Sequence, residues 1–177
     1  MTVLGCDIST TTIGISIISD NKLILIDYIK PEGENFIEKI ESAKKQFLEK
    51  VTISIDKIIT EKPNIQFKSG FSSAQILATI LRFNGTVLYF LFQNFKIIPI
   101  EAMATTMRKR VIGIGRYPTG TDTKEEILKF VCNQEPQISN WPLVERGKNK
   151  GQLAKECYDM ADSYICAKYG TLVNGNK

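Results

Sequence analysis

Hydrophobic residues alternate with polar or small ones along residues 2–30, and this period of two predicts a meander of three strands. The turn between the second and third strands has the composition of a tight turn, Asp20-Asn21-Lys22. The predicted strands are Thr2–Ile8, Ile13–Ser19 and Leu23–Ile29. The chain therefore begins with an antiparallel sheet.

Beyond these strands, apolar residues recur at steps of three and four, which indicates amphipathic helices between further short strands. The predicted helices are Asn35–Val51, Ser72–Gln93, Ala102–Val111, Lys124–Val131 and Leu153–Lys168, the predicted strands are Ile53–Thr60 and Lys96–Ile100, and Asn133–Gly151 is a predicted loop. The order β-β-β-α-β-α-β-α-α-α favours an α/β domain with a mixed five-stranded sheet, its first three strands antiparallel, sandwiched by helices.

The composition indicates an ordinary globular chain. Its 177 residues are 43% hydrophobic and 24% charged, without an internal repeat or linker, so we expect a single domain over residues 1–177. The apolar run Val87–Phe92 is too short to span a membrane, and nothing resembles a signal peptide. The four cysteines are scattered, which favours free thiols in a reducing compartment. We expect a cytoplasmic protein with no membrane partner.

The chain contains no histidine, which narrows the chemistry it can perform. Ser-His and Cys-His nucleophiles, imidazole general bases and His-ligated zinc or iron are all excluded. Any reaction must therefore rely on carboxylates, Lys and Arg, hydroxyls, thiols or the backbone.

Four carboxylates occupy positions that suggest a common site. Asp7 lies within an apolar strand, where an unpaired charge is costly, and Glu61 ends an Ile-rich strand. Asp159 and Asp162 are three residues apart on a helix of small and apolar residues, so they project from one face about 5–6 Å apart.

Such carboxylates converge only if a cation offsets their repulsion. Oxygen ligands without histidine select hard cations such as Mg²⁺ or Mn²⁺. Two ions about 3.5–4 Å apart activate a water and stabilise the leaving oxygen of a phosphodiester. Plainer interpretations stay open: Asp7 caps a turn, Glu61 is a solvated loop residue, and Asp159 and Asp162 belong to a surface stripe.

Positive charge is concentrated in two segments, which suit a polyanionic partner, although such runs are more often a solvated face. The first contains Arg108, Lys109 and Arg110, with Arg116 and Lys124 further on, and the second contains Arg146, Lys148, Lys150 and Lys155. Charge alone does not decide between the two interpretations.

At these residues the sequence resembles the RuvC family of Holliday-junction resolvases, within the ribonuclease H-like superfamily. Gly5–Gly14 matches the family's G-x-D-x-G-x-x-x-x-G strand–turn–strand, Ile58–Pro63 resembles the strand that ends in its catalytic Glu, and Asp159–Ser163 matches its D-x-x-D-A/S motif. Gly70–Gln75 and Arg82–Gly85 are most similar to the RuvC-like enzymes of bacteriophages. One departure is Ser9, which replaces the family's second Gly and requires a turn without positive φ.

The resemblance implies a metal-dependent, structure-selective endonuclease that nicks branched DNA symmetrically as a homodimer. Asp7, Glu61, Asp159 and Asp162 would be the catalytic carboxylates that hold two Mg²⁺ (or Mn²⁺) ions, with no organic cofactor. The expected DNA contacts are Lys124, Arg108, Lys109, Arg110, Lys68, Phe67, Phe71, Lys148 and Lys150. The two phenylalanines are equally compatible with core packing.

Other functions remain open on the sequence alone. The nearest are other ribonuclease H-like activities, such as cleavage of RNA:DNA hybrids, flaps or forks. The threonines Thr10, Thr11 and Thr12 also resemble the phosphate loop of actin-like and sugar-kinase ATP-binding domains. A third class is a non-catalytic nucleic-acid-binding module on the same fold.

Overall fold

The computed structural model describes residues 1–63 and 74–173. Within them, one five-stranded mixed sheet has the order β3-β2-β1-β4-β5. The strands are β1 (Thr2–Ile8), β2 (Ile13–Ser19), β3 (Lys22–Ile29), β4 (Lys57–Glu61) and β5 (Ile100–Ala102). β1, β2 and β3 pair antiparallel, whereas β4 runs parallel to β1 and to β5. The predicted order of elements and the antiparallel meander are confirmed.

Five helices flank the sheet in the described part of the chain. They are α1 (Phe36–Lys50), α2 (Ala74–Phe95), α3 (Ala104–Val111), α4 (Thr123–Gln134) and α5 (Glu156–Leu172). Side chains cap two of them: Asn35 accepts a hydrogen bond from the Glu38 amide, and Asp122 accepts from the Lys124 and Glu125 amides. The helices begin and end within four residues of their predicted bounds.

The sheet separates two hydrophobic cores. On one face, strand residues such as Leu4 and Ile58 pack against α1 and α2, with Phe47 and Phe83 as large buried side chains. On the other face, strand residues such as Val3 pack against α3, α4 and α5. This is the layered arrangement that the alternating pattern predicts.

Two predicted strands are displaced along the chain. The strand expected at Ile53–Thr60 begins only at Lys57, because the Asp56 carboxylate accepts from the Thr2 amide and holds the preceding residues outside the sheet. The strand expected at Lys96–Ile100 is instead Ile100–Ala102. Lys96 has a φ of +58° and its amide bonds to Phe92, so it ends α2 and cannot start a strand.

Local turn geometry agrees with the sequence. Asp20 and Asn21 both adopt positive φ, as a tight two-residue turn between antiparallel strands requires. Ser9, in contrast, does not adopt positive φ. Its hydroxyl donates to the Thr12 carbonyl at 2.7 Å and accepts from the Thr12 amide at 3.0 Å, which closes the β1–β2 loop in place of a glycine.

α2 is longer than the apolar run Val87–Phe92 suggests. Among the described residues it is the one helix that is long and apolar enough to cross a membrane, by length and composition alone. One side of it, which includes Phe83, Val87 and Leu91, is buried in the core beside α1. A single buried stripe is typical of a helix that packs on a sheet from outside.

The predicted loop Asn133–Gly151 contains ordered structure at its end. Backbone bonds join Val144 to Gln152 and Gly151 and join Ala154 to Pro142, around an isolated bridge between Leu143 and Leu153. We call residues 142–154 the basic hairpin, because its exposed tip carries Arg146, Lys148 and Lys150.

Candidate active site

Asp7 and Glu61 lie on the same face of the sheet. Side chains alternate along a strand, so Asp7 faces the same side as Val3, and Glu61 the same side as Ile59. Val3 and Ile59 both pack in the core that contains α5. Because β1 and β4 are adjacent and parallel, the two carboxylates occupy the C-terminal ends of neighbouring strands, facing α5.

Two glycines allow α5 to approach the sheet at backbone distance. A Cβ on Gly5 would lie 2.3 Å from the Ala167 amide nitrogen, and a Cβ on Gly14 would lie 1.9 Å from the Asp159 carbonyl oxygen. Real Cβ atoms do not approach other atoms this closely, so only glycine fits. The close approach brings Asp159 and Asp162 over the ends of β1 and β2.

A buried hydrogen bond fixes the rotation of α5 on the sheet. The hydroxyls of Ser16 and Ser163 are 2.7 Å apart, and both residues are fully buried. Ser163 also donates to the Met160 carbonyl. Ser163 follows Asp162 directly, so this contact sets the direction of the carboxylate one residue earlier.

Like charges and burial perturb the carboxylates strongly. The pKa of Asp7 is raised well above its ordinary value by burial, and then by the charges of Asp162, Glu61 and Asp159. Burial, with the Asp162 charge, raises the pKa of Glu61 to about 7. The pKa of Asp162 is raised to about 6 by burial, against the opposing effect of Arg108. The four residues therefore act on one another as a single acidic cluster.

Two cations stand at the margin of this cluster. A guanidinium nitrogen of Arg108 on α3 lies 3.9 Å from Asp162, and the ammonium of Lys124 on α4 lies 3.7 Å from Asp159. Burial raises the pKa of Asp159, while the Lys124 charge lowers it. Both distances exceed those of a close ion pair, so each cation compensates its carboxylate only in part.

The donor set fits a hard divalent cation. All four side chains offer oxygen. Burial raises the pKa of each, and charges within the cluster raise those of Asp7, Glu61 and Asp162 further, which is the condition that a bound cation relieves. Within residues 1–63 and 74–173, no three acidic or cysteine side chains are grouped tightly enough to hold an ion as they stand. Two of the carboxylates face Arg108 and Lys124 instead, so ion binding requires their side chains to turn inward.

The other predicted DNA contacts do not all lie at the cluster. Lys109 and Arg110 follow Arg108 on α3 but line a separate cavity on the other side of that helix. Lys148 and Lys150 are exposed at the tip of the basic hairpin. The predictions for Phe67, Lys68 and Phe71 fall outside the described residues.

Two contacts beside the cluster are not predicted from the sequence. The Lys30 ammonium donates to the buried Glu156 carboxylate at 3.1 Å, which ties the end of β3 to the first turn of α5. The Lys124 ammonium lies 6.0 Å from the centre of the Tyr158 ring. Lys30 and Glu156 are 126 positions apart, so no local pattern signals their pairing.

Structural comparison identifies the fold as ribonuclease H-like. The chain is similar to Thermus thermophilus RuvC in complex with a Holliday junction, with a TM-score of 0.62 and 13% identity over 97% of this chain and 96% of that one. The fowlpox virus resolvase matches with a TM-score of 0.54 and 16% identity over 98% and 100% of the two chains. The yeast mitochondrial Holliday junction resolvase Ydc2 matches with 0.55 and 14% over 94% and 76%.

These three structures share the mixed five-stranded sheet and its flanking helices with this chain over nearly its whole length. No protein-family model matches the sequence, and the comparison with curated proteins finds no relative. The likeness is therefore one of fold, at an identity where function must be argued from the site.

Proposed function

We propose that this chain is a divalent-metal-dependent, structure-selective endonuclease that resolves Holliday junctions and other branched DNA by paired nicking. The observation that carries the proposal is the placement of Asp7 and Glu61 at the ends of neighbouring strands, facing the helix that carries Asp159 and Asp162. Buried like charges with a cationic rim suit a site for metal ions and a phosphodiester. The three neighbours named above support the choice of substrate, since two are Holliday junction resolvases and the third is RuvC bound to a Holliday junction.

Asp7, Glu61, Asp159 and Asp162 would hold two Mg²⁺ ions, with Mn²⁺ as an alternative. When bound, the ions supply Lewis-acid activation of the attacking water and of the scissile phosphodiester. The carboxylates come from two strands and a helix that the sheet, Gly5 and Gly14 hold in register. The protein's contribution is therefore a fixed backbone framework from which the four carboxylates can turn toward the ions.

Arg108 and Lys124 would bind the phosphates on either side of the cleaved bond. Each stands beside a carboxylate but not in a close ion pair, so a phosphate oxygen can replace that carboxylate as its partner. Lys124 is 57% exposed at its side chain, which leaves its stem free to move, whereas Arg108 is 17% exposed and stays fixed. Arg108 would orient the phosphate, and Lys124 would add charge from the rim.

The basic hairpin would contact a DNA arm beyond the cut. Its backbone bonds order the segment before DNA arrives, which lowers the entropy lost on binding. Arg146, Lys148 and Lys150 form no salt bridge within the described residues, so their charge is available to phosphates. The hairpin runs directly into α5, so an arm bound there continues toward Asp159.

Paired nicking requires two sites, and α2 offers a surface for a second copy of the chain. Leu81, Gly85, Leu88 and Phe92 fall on one exposed or half-buried stripe, away from the buried side of the helix. A Cβ on Gly85 would meet nothing within 4 Å, so another helix can approach closely there. We propose that two α2 helices pack along this stripe in a homodimer.

Charged substitutions on the stripe test the dimer. Leu81→Glu combined with Phe92→Glu should convert a dimer into a monomer in sedimentation velocity. Leu48→Glu on α1 is a matched control, because Leu48 and Leu81 are similarly exposed (44% and 46%). A wild-type monomer, or a dimer that survives the double substitution, would exclude this interface.

We propose that the chain is one nuclease domain of the phage RuvC-like type that acts in the cytoplasm of a host cell. The four cysteines are free and three of them are buried, as a reducing compartment favours.

A substrate panel tests the proposed activity. Four-way junctions, three-way junctions, flaps, linear duplexes and RNA:DNA hybrids are incubated with and without Mg²⁺, and the products are resolved by strand. We expect symmetric nicks in the four-way junction that require Mg²⁺, with little cleavage of linear duplex. Cleavage confined to the RNA:DNA hybrid would assign the site to hybrid hydrolysis instead, and no cleavage of any substrate would reject a nuclease.

A further inference from the structure

A cationic cavity, separate from the acidic cluster, lies on the side of α3 away from the carboxylates. Its volume is about 560 Å³, and Lys109, Arg110, Arg116, Thr105 and Tyr169 are among its lining residues. The carboxylate cluster lines none of it. Arg108 points to Asp162, whereas the next two residues of α3 line the cavity, as the rotation of about 100° per residue in a helix dictates.

The walls of the cavity are fixed by backbone contacts. A Cβ on Gly115 would lie 3.0 Å from the Thr105 carbonyl oxygen, so the segment after α3 folds back tightly on that helix and brings Arg116 beside it. On the opposite wall, the buried Lys57 ammonium donates to the Gly170 and Val173 carbonyls at 2.9 and 2.6 Å. These bonds hold the end of α5, which carries Tyr169.

The cavity has positive charge that the protein itself does not compensate. No Asp or Glu lines it, and within the described residues Lys109, Arg110 and Arg116 form no salt bridge. The hydroxyls of Thr105 and Tyr169 form no hydrogen bond there either. By contrast, Arg108 and Lys124 both face carboxylates. Three free cations and the free Thr105 hydroxyl are suited to phosphate oxygens.

The lining of the cavity suits a nucleotide that is not base-paired. A duplex presents its phosphates on a convex surface and keeps its bases stacked inside, so it would touch only the rim. An unpaired nucleotide brings a flexible phosphate and an exposed base, and the ring of Tyr169 with the side chain of Val173 offers an apolar wall for that base. The volume is large enough for one nucleotide, which would lie in a depression that is open to solvent.

We propose that this cavity binds an unpaired nucleotide of the DNA strand, with its phosphate held by Lys109, Arg110 and Arg116 and its base against Tyr169. The inference rests on the proposed function, because the strand would lead to the carboxylate cluster across α3. A helix with its side chains is about 10–12 Å wide, so a few unpaired nucleotides would cover that distance. The site would favour branched DNA with an unpaired segment beside the crossover over fully paired duplex.

Binding in metal-free buffer tests the cavity without relying on cleavage. A labelled short oligodeoxythymidine is titrated with protein and followed by fluorescence anisotropy, with linear duplex of the same length in parallel. The triple variant Lys109→Gln/Arg110→Gln/Arg116→Gln should bind the single strand about tenfold or more weakly. The control Lys22→Gln/Lys44→Gln/Lys45→Gln removes the same charge from exposed positions elsewhere and should change affinity about twofold.

Two further variants separate stacking from charge. Tyr169→Phe keeps the ring and loses only an unpartnered hydroxyl, so it should bind like the wild type. Tyr169→Leu should weaken single-strand binding about tenfold, the usual effect of losing one base–aromatic stack, with little change for duplex. Thermal denaturation checks that each variant is folded, and the triple variant tests the proposal if Tyr169→Leu does not fold.

The outcomes are distinct from those of the substrate panel. Equal losses in the cavity variant and the surface control, or an unchanged affinity of folded Tyr169→Leu, would overturn the cavity. Full displacement of the oligonucleotide by free thymidine monophosphate would also overturn it, because it would indicate a site for a free nucleotide. Junction cleavage without single-strand binding would reject the cavity alone, and single-strand binding without cleavage would reject the nuclease alone.

Discussion

Gly14 lies directly against the backbone of Asp159, and a Cβ at Gly14 would stand 1.9 Å from the Asp159 carbonyl oxygen. Gly14 is also the β2 partner of Asp7 in the antiparallel register. Because Gly14 has no side chain, Asp159 on α5 can lie close to Asp7 on β1. The site depends on this contact as much as on the acidic residues themselves.

Gly14→Ala should displace the start of α5 and damage both stability and cleavage. We expect unfolding to become easier by about 1–3 kcal/mol, the usual cost of forcing an extra group into a packed interior, measured by urea denaturation. Gly85→Ala in the Leu81→Glu/Phe92→Glu background is the control, because its Cβ would meet nothing of its own chain within 4 Å and this background removes the proposed α2 contact. That change should stabilise the protein by about 0.5–1 kcal/mol. Equal effects of the two changes would contradict the account.

Asp7→Asn and Asp162→Asn should each abolish nicking of four-way junctions while leaving junction binding largely intact. Both carboxylates would serve the metal ions rather than the DNA, so removing one charge removes a ligand without weakening phosphate contacts. Gel cleavage and anisotropy binding measure the two effects separately. Glu32→Gln, at an exposed position away from the cluster, should keep full activity. Full nicking by either Asp variant would remove that residue from the site.

The four residues of the acidic cluster have local signals in the sequence. Asp7 and Glu61 each interrupt or end an apolar strand, and Asp159 and Asp162 have the spacing of one helical face. The order of elements follows from periodicity, and it brings strand ends and α5 to the same edge. What local patterns do not contain is the close packing of α5, which depends on Gly14 and on the Ser16–Ser163 bond across the fold.

The displaced strand and the arrangement of side chains on α3 both depend on tertiary contacts. Lys96–Ile100 has the composition of a strand, but Ile98 is 76% exposed and only the last of these residues pairs with β4. Lys109 and Arg110 adjoin Arg108 in sequence, but α3 turns their side chains toward a cavity rather than toward Asp162. In both cases the tertiary partner decides, and composition does not reveal it.

The stability of the metal-free protein should fall as pH rises. Glu61 has a folded pKa of about 7 against an ordinary value of 4.5, so between these values the folded state binds more protons than the unfolded state. The free energy of unfolding then decreases with pH, by on the order of 2 kcal/mol for such a group. Urea denaturation in chelator across this range measures the slope.

Glu61→Gln removes the titrating group and should flatten this pH dependence. Mg²⁺ should restore stability to the wild type at the upper end of the range, because bound cations offset the repulsion of the ionised carboxylates. The account would be contradicted if the stability of the wild type rose from pH 4.5 to about 7 and Glu61→Gln showed the same slope. Burial and repulsion would then not raise the pKa of Glu61.

Lys124→Ala should reduce the salt dependence of junction binding by about one phosphate contact. Lys129→Ala is a close control, since both lysines lie on α4 and both side chains are 57% exposed, but Lys129 pairs with Glu125 and Glu126. The slope of log affinity against log salt, measured in chelator, compares the two. An unchanged slope in Lys124→Ala would remove Lys124 from the DNA contacts.

The central claim is that Asp7, Glu61, Asp159 and Asp162 bind divalent ions together, and anomalous diffraction from crystals soaked in Mn²⁺ tests it most directly. We predict anomalous peaks at the edge of the sheet, within about 2.0–2.3 Å of carboxylate oxygens from both the strands and α5. Asp162→Asn crystals treated identically should lose or weaken these peaks. Peaks only elsewhere on the protein, or none at saturating Mn²⁺, would contradict the account.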